Sequence, residues 1–254
     1  MDASNIVSVL VLSYNNLQYI KECLNSILHQ NYQYIEIIIS DDYSSDFKKD
    51  EIEQFIRDNK KENIVNYVIN QNSSNLGTVK NLNNAISLAT GNYFINIACD
   101  DLLFDDEVIT SIVKYFLDTN YLILAGYIAM FDEQLKEYLL TMPQWQYIKY
   151  IYGNPIDCYS VLCSGDFIPG PGVSYKRELI NRYGMYDEEY KVMEDYPRWL
   201  YLTRKGCSIG FLQRYIVKYR KGGISMTNEE IFNDDLALVR KKEILPYLDL
   251  IKGS

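Results

Sequence analysis

Short apolar runs alternate along this chain with segments whose apolar residues recur every three to four positions, the pattern of strands alternating with amphipathic helices. Residues 6–12 read as an apolar strand, after which Ser13-Tyr14-Asn15-Asn16 offers turn and N-cap chemistry for a helix to about Leu28. Leu17, Ile20, Leu24, Ile27 and Leu28 share one face of that helix. Residues 34–40 form a second strand, Asp46 is placed to cap a helix over 51–60, and residues 64–69 form a third strand. The next helix opens near Gly77-Thr78, carries Val79, Leu82, Ala85, Ile86 and Ala89, and stops at Gly91. A fourth strand spans 93–99. Strands separated by helices of this length imply crossover connections and a largely parallel sheet.

The second half is less regular. Asp105 is placed to cap a helix through Phe116, and residues 121–131 form a long uncharged run, too short to span a membrane, that reads as a buried strand. Between Trp145 and Gly172, Gly153-Asn154-Pro155 and Pro169-Gly170-Pro171-Gly172 punctuate a region that reads as loop-rich and suited to substrate contacts. Residues 196–205 read as an amphipathic helix ended by Gly206.

Three acidic pairs stand out against this frame. Asp41-Asp42 and Asp100-Asp101 each close a strand run, and Glu194-Asp195 follows about a hundred residues later. In open α/β sheets ligands lie beyond the carboxyl ends of the strands, so the first two pairs are expected to face one crevice. Crowded carboxylates repel unless a cation or a proton joins them, which points to a divalent metal or a base awaiting a proton. Asp is also common in strand-end turns and helix caps, the bland account of any single pair.

Composition narrows the alternatives. At 254 residues the chain can bury a sizeable core, and its net charge of −9, with no basic stripe, excludes a nucleic-acid partner gripped through phosphates. Five cysteines without C-x-x-C spacing fit reduced thiols in a cytoplasmic setting rather than a disulfide framework. The N-terminal residues lack signal-peptide features, and no apolar stretch approaches the roughly 18 residues of a membrane helix, so the chain is expected to be soluble or peripheral at a membrane. The 24 tyrosines are read mainly as strand and rim residues. The single histidine, His29, reads as a capping or surface group, because no partners for a zinc site or a nucleophilic triad accompany it.

Six segments, in order, resemble family 2 glycosyltransferases with the GT-A fold. Val7 to Asn16 resembles their opening strand and turn, Asp41-Asp42-Tyr43-Ser44-Ser45-Asp46 their second-strand signature, and Asn75-Leu76-Gly77 through Ala89-Thr90-Gly91 their third-helix signature. Ala98-Cys99-Asp100-Asp101 is similar to their D-x-D region, Glu194-Asp195 with Trp199-Leu200 to their E-D motif, and Tyr219-Arg220-Lys221-Gly222-Gly223-Ile224-Ser225 to the loop that closes over the diphosphate. The resemblance implies an α/β, GT-A type fold: a Rossmann-like, mostly parallel sheet flanked by helices, with a loop-rich acceptor-binding half. Its boundaries are expected at 1–104 for the nucleotide-sugar half, 105–225 for the acceptor and catalytic half, and 226–254 for a C-terminal helical tail.

The implied activity is inverting transfer of a sugar from a nucleoside diphosphate, UDP by default, to a hydroxyl of a glycan or lipid-linked acceptor in bacterial surface or capsular polysaccharide synthesis. By resemblance Ser13, Tyr14 and Asn15 line the nucleotide pocket, Asp42 hydrogen-bonds the base and Asp41 lies nearby. Asp100 would hold Mn²⁺ or Mg²⁺, and Asp101 would orient the donor sugar or support the metal shell. Asp195 would be the general base, and Glu194 would raise its proton affinity or bind acceptor hydroxyls. Lys80, Arg220 and Lys221 are candidates for the diphosphate.

Two positions depart from the family pattern. Ala98 stands where the first acid of the D-x-D region is expected, and Lys221 where the closing loop often carries histidine. Ala98 is the main argument for the alternative, a weakly active or inactive binding protein derived from such an enzyme. A sugar-1-phosphate nucleotidyltransferase would need a Gly-rich basic loop after the first strand, which Ser13-Tyr14-Asn15-Asn16 is not. Nothing sets a general acid against a nucleophile as in a glycoside hydrolase. The ending Lys252-Gly253-Ser254 is abrupt, which raises the expectation of a continuing segment that could dock the protein at the inner membrane face.

Overall fold

The computed structural model describes residues 5–222 and 229–250, and its first hundred residues alternate strand and helix as the pattern predicts. β1 (Val7–Ser13) leads through a short 3₁₀ turn (Leu17–Tyr19) into α1 (Ile20–Leu28). There follow β2 (Ile35–Asp41), α2 (Lys49–Asn59), β3 (Ile64–Gln71), α3 (Thr78–Leu88) and β4 (Tyr93–Ala98). These four strands pair in parallel in the order β3-β2-β1-β4. The chain moves outward from β1 to β3 and returns on the other side of β1, so its direction reverses between β1 and β4. Such a reversal opens a crevice at the carboxyl ends of the two strands.

Both faces of this half-sheet are covered, so its strands read as continuous apolar runs rather than alternating ones. Leu10, Ile38 and Phe94 belong to one core with Val79, Leu82 and Ile86 of α3. Val9, Ile37 and Ile95 belong to the opposite core with Leu24 and Ile27 of α1. The period-two alternation of a strand separates the two sets.

The second half extends the same sheet with mixed polarity. Its elements are β5 (Leu102–Leu103), α4 (Val108–Asp118), β6 (Ile123–Phe131), β7 (Tyr138–Met142), α5 (Trp145–Ile151), α6 (Pro155–Leu162), β8 (Ser174–Lys176), α7 (Arg177–Tyr183), α8 (Asp195–Arg204), β9 (Gly210–Arg220) and α9 (Glu229–Val239). A π turn (Arg240–Ile244) and a kinked 3₁₀ segment (Leu245–Leu250) follow. β8 lies antiparallel between β4 and β6, β6 runs parallel to β9, and β5 and β7 add antiparallel partners to β9 and β6. Among the described residues no helix is long and apolar enough to cross a membrane, and all five cysteines are free.

Several local expectations are corrected. Asp46 does not cap α2, which starts after Lys48 without a side-chain cap, and Asp105 accepts from the Glu107 amide at 2.9 Å and pairs with Arg214 rather than capping α4. α3 ends on Ala89 in an extended conformation, not on Gly91. Gly91 is needed for close approach instead, since a Cβ there would meet the Ile6 carbonyl oxygen and Ser8 Oγ, each at 2.6 Å. The stretch between Trp145 and Gly172 contains two helices, because Asn154 accepts from the Ile156 amide at 2.8 Å and Pro155 fits the first helical position. The sequence pattern does not predict β9, whose last residues, Tyr219 and Arg220, belong to the segment expected as the closing loop. His29 does cap α1, with Nδ1 2.9 Å from the Asn25 carbonyl oxygen.

Glu36 interrupts the apolar run of β2 and is fully buried. It accepts from Ser8 Oγ at 2.6 Å, the Thr90 amide at 2.7 Å, Thr90 Oγ1 at 2.8 Å and Asn66 Nδ2 at 2.9 Å. Burial alone would raise its carboxyl, but these bonds outweigh burial and hold it below the usual glutamate range. A depressed folded value means stability is present above the unfolded value and lost as pH falls through the folded one. Glu36→Ala is therefore expected to cost on the order of 3 kcal/mol, since several buried donors lose their acceptor. Urea unfolding at neutral pH would measure this, and a change under about 0.5 kcal/mol would show that the network contributes little.

Candidate active site

The crevice at the β1–β4 reversal is a cavity of about 510 Å³. Leu12, Ser13 and Tyr14 at the end of β1, and Asn96, Ile97 and Ala98 at the end of β4, form one side. The loop at 75–78 with Lys80 of α3, the bend Gly170-Pro171 and the segment 188–192 with Glu194 form the rest, and Ile231 of α9 reaches its wall.

Asp42 lies at the cavity and is almost wholly buried. Its Oδ1 accepts from Asn72 Nδ2 and the Leu76 amide, both at 2.9 Å, and its Oδ2 from the Gly77 amide at 2.8 Å. The carboxylate thus folds the 72–77 loop over the crevice. Gly77 takes φ 89°, and a Cβ on it would stand 2.6 Å from the Lys191 carbonyl oxygen, so the loop meets the 188–192 segment at bare backbone.

Asp41 is fully buried and is not among the cavity-lining residues. It accepts from Ser13 Oγ at 3.0 Å, the Ser44 amide at 2.7 Å, Gln71 Nε2 at 3.1 Å and Ser44 Oγ, which fixes the turn after β2. Ser13 and Tyr14 line the cavity. Asn15 does not; it sits at φ 49°, exposed, with its amide donating to Ser44 Oγ at 2.8 Å.

Past β4, Ala98 faces the cavity, and Asp100 lies half-buried beyond it with Oδ2 accepting from Asn16 Nδ2 at 2.6 Å. Burial raises its carboxyl above the usual aspartate range. Asp101 is sealed from solvent: Oδ1 accepts from the Arg220 amide at 2.8 Å, and Oδ2 has no partner among the described residues. Burial first, and then the neighbouring Asp100 charge, push its carboxyl well above the usual range, and its bond from the Arg220 amide anchors the end of β9. Asp101, expected to orient the donor sugar or support the metal shell, is not among the residues that line the cavity.

Arg220, a candidate for the diphosphate, is likewise not among the cavity-lining residues. Its guanidinium is buried and stacks 3.8 Å from the Tyr19 ring centre. Nε donates to the Asp100 carbonyl at 2.8 Å, Nη2 to Glu22 Oε2 at 2.8 Å, and Nη1 to the Glu133 carbonyl. It braces β9 against α1 and the Asp100 turn. Lys221 is exposed, and residues 223–225 of the expected closing loop lie outside the described residues. Lys80 lines the cavity, as does Lys191, which the sequence did not single out.

Glu194 and Asp195 open α8 on the far side of the crevice. Glu194 borders the cavity, while Asp195 faces a neighbouring cavity of about 870 Å³, shared with Asp166, Arg240 and apolar Phe232, Leu236 and Leu248. The pair therefore straddles the boundary between two spaces. Gly170 lies against it, since a Cβ on Gly170 would come within 2.6 Å of Asp195 Oδ2. Asp195 Oδ1 accepts from the Tyr196 amide at 2.7 Å. Burial raises the Asp195 carboxyl; burial and the Asp195 charge push Glu194 up to about 8. Two adjacent acids that both resist ionisation favour a state in which they do not carry two charges at once.

Among the described residues no three His, Cys, Asp or Glu side chains form a ready-made metal cage. Mg²⁺ and Mn²⁺ bound with substrate phosphates need only one or two protein carboxylates, and Asp100 with its hard oxygens fits that need, whereas Asp101 is sealed away.

Known proteins resemble this chain in sequence and in fold. An uncharacterized glycosyltransferase of Haemophilus influenzae is 29% identical over 99% of this chain and 77% of its own length. A putative teichuronic acid biosynthesis glycosyltransferase, TuaG of Bacillus subtilis, is 24% identical over 85% of this chain and 79% of its own. Among solved structures, S. aureus TarS 1–349 superposes with a TM-score of 0.66 at 20% identity, covering 93% of this chain and 64% of that one. The mannosyltransferase PcManGT of Pyrobaculum calidifontis, solved with GDP-Man and Mn²⁺, superposes with a TM-score of 0.68 at 18% identity over 99% of this chain and 70% of its own. These likenesses show the GT-A fold. The model of Glycosyl transferase family 2 matches residues 8–184, well over half of the chain, and the protein belongs to that family.

Proposed function

We propose that this chain transfers a sugar from a nucleoside diphosphate, with inversion at the anomeric carbon, to a hydroxyl of a glycan or lipid-linked acceptor used in bacterial surface polysaccharide. The observation that carries the reading is the pair Glu194-Asp195 set across the β1–β4 crevice, one acid on each of two adjoining cavities. The larger reaction setting follows relatives such as TuaG, named for teichuronic acid biosynthesis. UDP is the favoured carrier, since TarS has been solved with UDP and with UDP-GlcNAc.

The donor lies in the 510 Å³ cavity, its base and ribose against Ser13, Tyr14 and the Asp42-held loop, its diphosphate toward Lys80 and Lys191. The acceptor enters from the Asp195 side. Asp195 takes the proton of the acceptor hydroxyl as that oxygen forms a bond to the anomeric carbon, and the bond from that carbon to the diphosphate oxygen breaks on the opposite face. Protonated Glu194 donates a hydrogen bond to a sugar hydroxyl and keeps the pair from carrying two charges. A divalent cation held by Asp100 and the diphosphate would neutralise the charge of the leaving group. The protein acts at the cytoplasmic face of the membrane, where nucleotide sugars are made.

Asp195→Asn is expected to lower kcat by about 10²- to 10⁴-fold, the usual worth of a general base, with nucleotide affinity within about threefold of wild type. Calorimetry against UDP, GDP, CDP and dTDP, paired with a transfer assay, measures both; surviving transfer would remove Asp195 from the base role. Asp100→Ala is expected to weaken UDP binding in Mn²⁺ by about tenfold or more and to leave binding in EDTA unchanged. Equal loss in both conditions would place the metal elsewhere.

The shared proton also sets a pH profile. kcat/KM should fall on the acid side as Asp195 gains its proton, above the usual aspartate range, and again on the alkaline side near pH 8 as Glu194 loses its own. In Glu194→Gln the alkaline fall should vanish while the acid limb stays. A profile still bell-shaped in that variant would assign the alkaline limb to another group.

A further inference from the structure

Asp235 is a buried carboxylate on α9, forty residues after the acidic pair, and the sequence gives no sign of its use. Its oxygens accept from three consecutive backbone amides: Lys191 at 3.0 and 3.1 Å, Val192 at 2.8 Å and Met193 at 3.0 Å. Those amides end where Glu194 begins. An ionised acceptor with three amide donors is a strong and directional clamp, because charge-assisted bonds are shorter and about twice as strong as neutral ones.

The same segment is held from the other side. The Lys191 carbonyl accepts from the Val79 amide at the start of α3 at 3.2 Å, and Gly77 comes so close to that carbonyl that no side chain fits between. Residues 191–193 therefore hang between α3, whose entry loop Asp42 fastens over the donor cavity, and α9. α9 itself touches both spaces, with Ile231 on the donor cavity and Phe232 and Leu236 on the cavity that holds Asp195.

We infer that Asp235 is a positioning residue: its grip on the amides of 191–193 sets where Glu194 and Asp195 stand relative to the two cavities. The inference rests on the transfer reading for its catalytic consequence, while the clamp itself does not depend on that reading. A displacement of about 1 Å in a reacting group can cost up to about a hundredfold in rate, so the effect should appear in kcat rather than in donor binding.

The test combines amide hydrogen exchange, followed by mass spectrometry on a peptide covering 190–195, with steady-state transfer kinetics on the full chain. In Asp235→Ala, exchange at 191–193 is expected to quicken by about tenfold or more, from loss of hydrogen bonds to a charged acceptor, with exchange in β1 to β4 unchanged. kcat should fall about 10- to 100-fold and the donor KM stay within about threefold. Asp235→Asn keeps the shape and one acceptor oxygen, and should recover part of both effects; Asp234→Asn, an exposed neighbour on the same helix, should leave both unchanged. Unaltered exchange in Asp235→Ala would overturn the clamp. Faster exchange with kcat unaltered would overturn the positioning role, as would parallel loss of kcat and UDP affinity in Asp235→Asn, which would signal general unfolding. A wild-type protein that transfers no sugar from any nucleotide donor would overturn the transfer reading and the catalytic half of this assignment, and the exchange result would still decide the clamp.

Discussion

Buried carboxylates accepting backbone amides hold together the loops that make this crevice. Asp41 fixes the turn after β2, Asp42 draws the 72–77 loop over the pocket, and Asp235 ties the strand of chain that enters α8. Each loop would otherwise expose amides with no partner, at a cost comparable to a lost hydrogen bond apiece. A single ionised group with two or three donors satisfies that need and imposes a geometry, since the donors must converge on one or two oxygen atoms. The apolar cores fix where the strands end, and these acids fix the shape of what lies beyond the ends.

The electrostatics of the site follow from the same economy of charge. The protein is acidic overall, and Glu188, Glu189 and Glu194 border the cavity together with Asp42. A nucleoside diphosphate is itself anionic, so the fold offers it little long-range attraction. In the proposed transfer, Lys80 and Lys191 on the rim, with a cation brought in with the phosphates, would answer the charge locally. Burial and the Asp195 charge raise the Glu194 carboxyl, which lessens the negative charge on this wall of the cavity.

The parallel half of the fold was legible because its signals are local: apolar runs such as 93–98 and the three-to-four spacing of Val79, Leu82 and Ile86 depend on near neighbours alone. The acidic pairs were legible as candidates, and the structure brings Asp42 and Glu194 to one cavity. What sequence could not separate was an acid that faces the cavity from one that serves the frame. Asp41 and Asp42 are adjacent, yet Asp41 serves only the frame through Ser13, Ser44 and Gln71, while Asp42 both fastens the 72–77 loop and borders the pocket. Arg220 looked like a phosphate ligand because its neighbours along the chain say nothing of Tyr19, Glu22 and Glu133, which fold onto it from far away. Asp235 escaped notice for the same reason, as its partners are amides and amides carry no residue signature. The helices at 145–151 and 155–162 were hidden by Gly153 and Pro155, since Gly past a helix end and Pro at a helix start read equally well as loop signals.

The contact of Gly170 with Asp195 bears on how such a site can diversify. Where the wall next to the acid is bare backbone, any larger residue displaces the acid before it alters the pocket, so position 170 offers no route to a new substrate preference. The same holds for Gly77 against the Lys191 carbonyl. Under the proposed function, variation in the pocket that leaves the acids in place falls to side chains on its wall such as Glu188 and Glu189. Such a wall divides the crevice into a part that drift can explore and a part that it cannot.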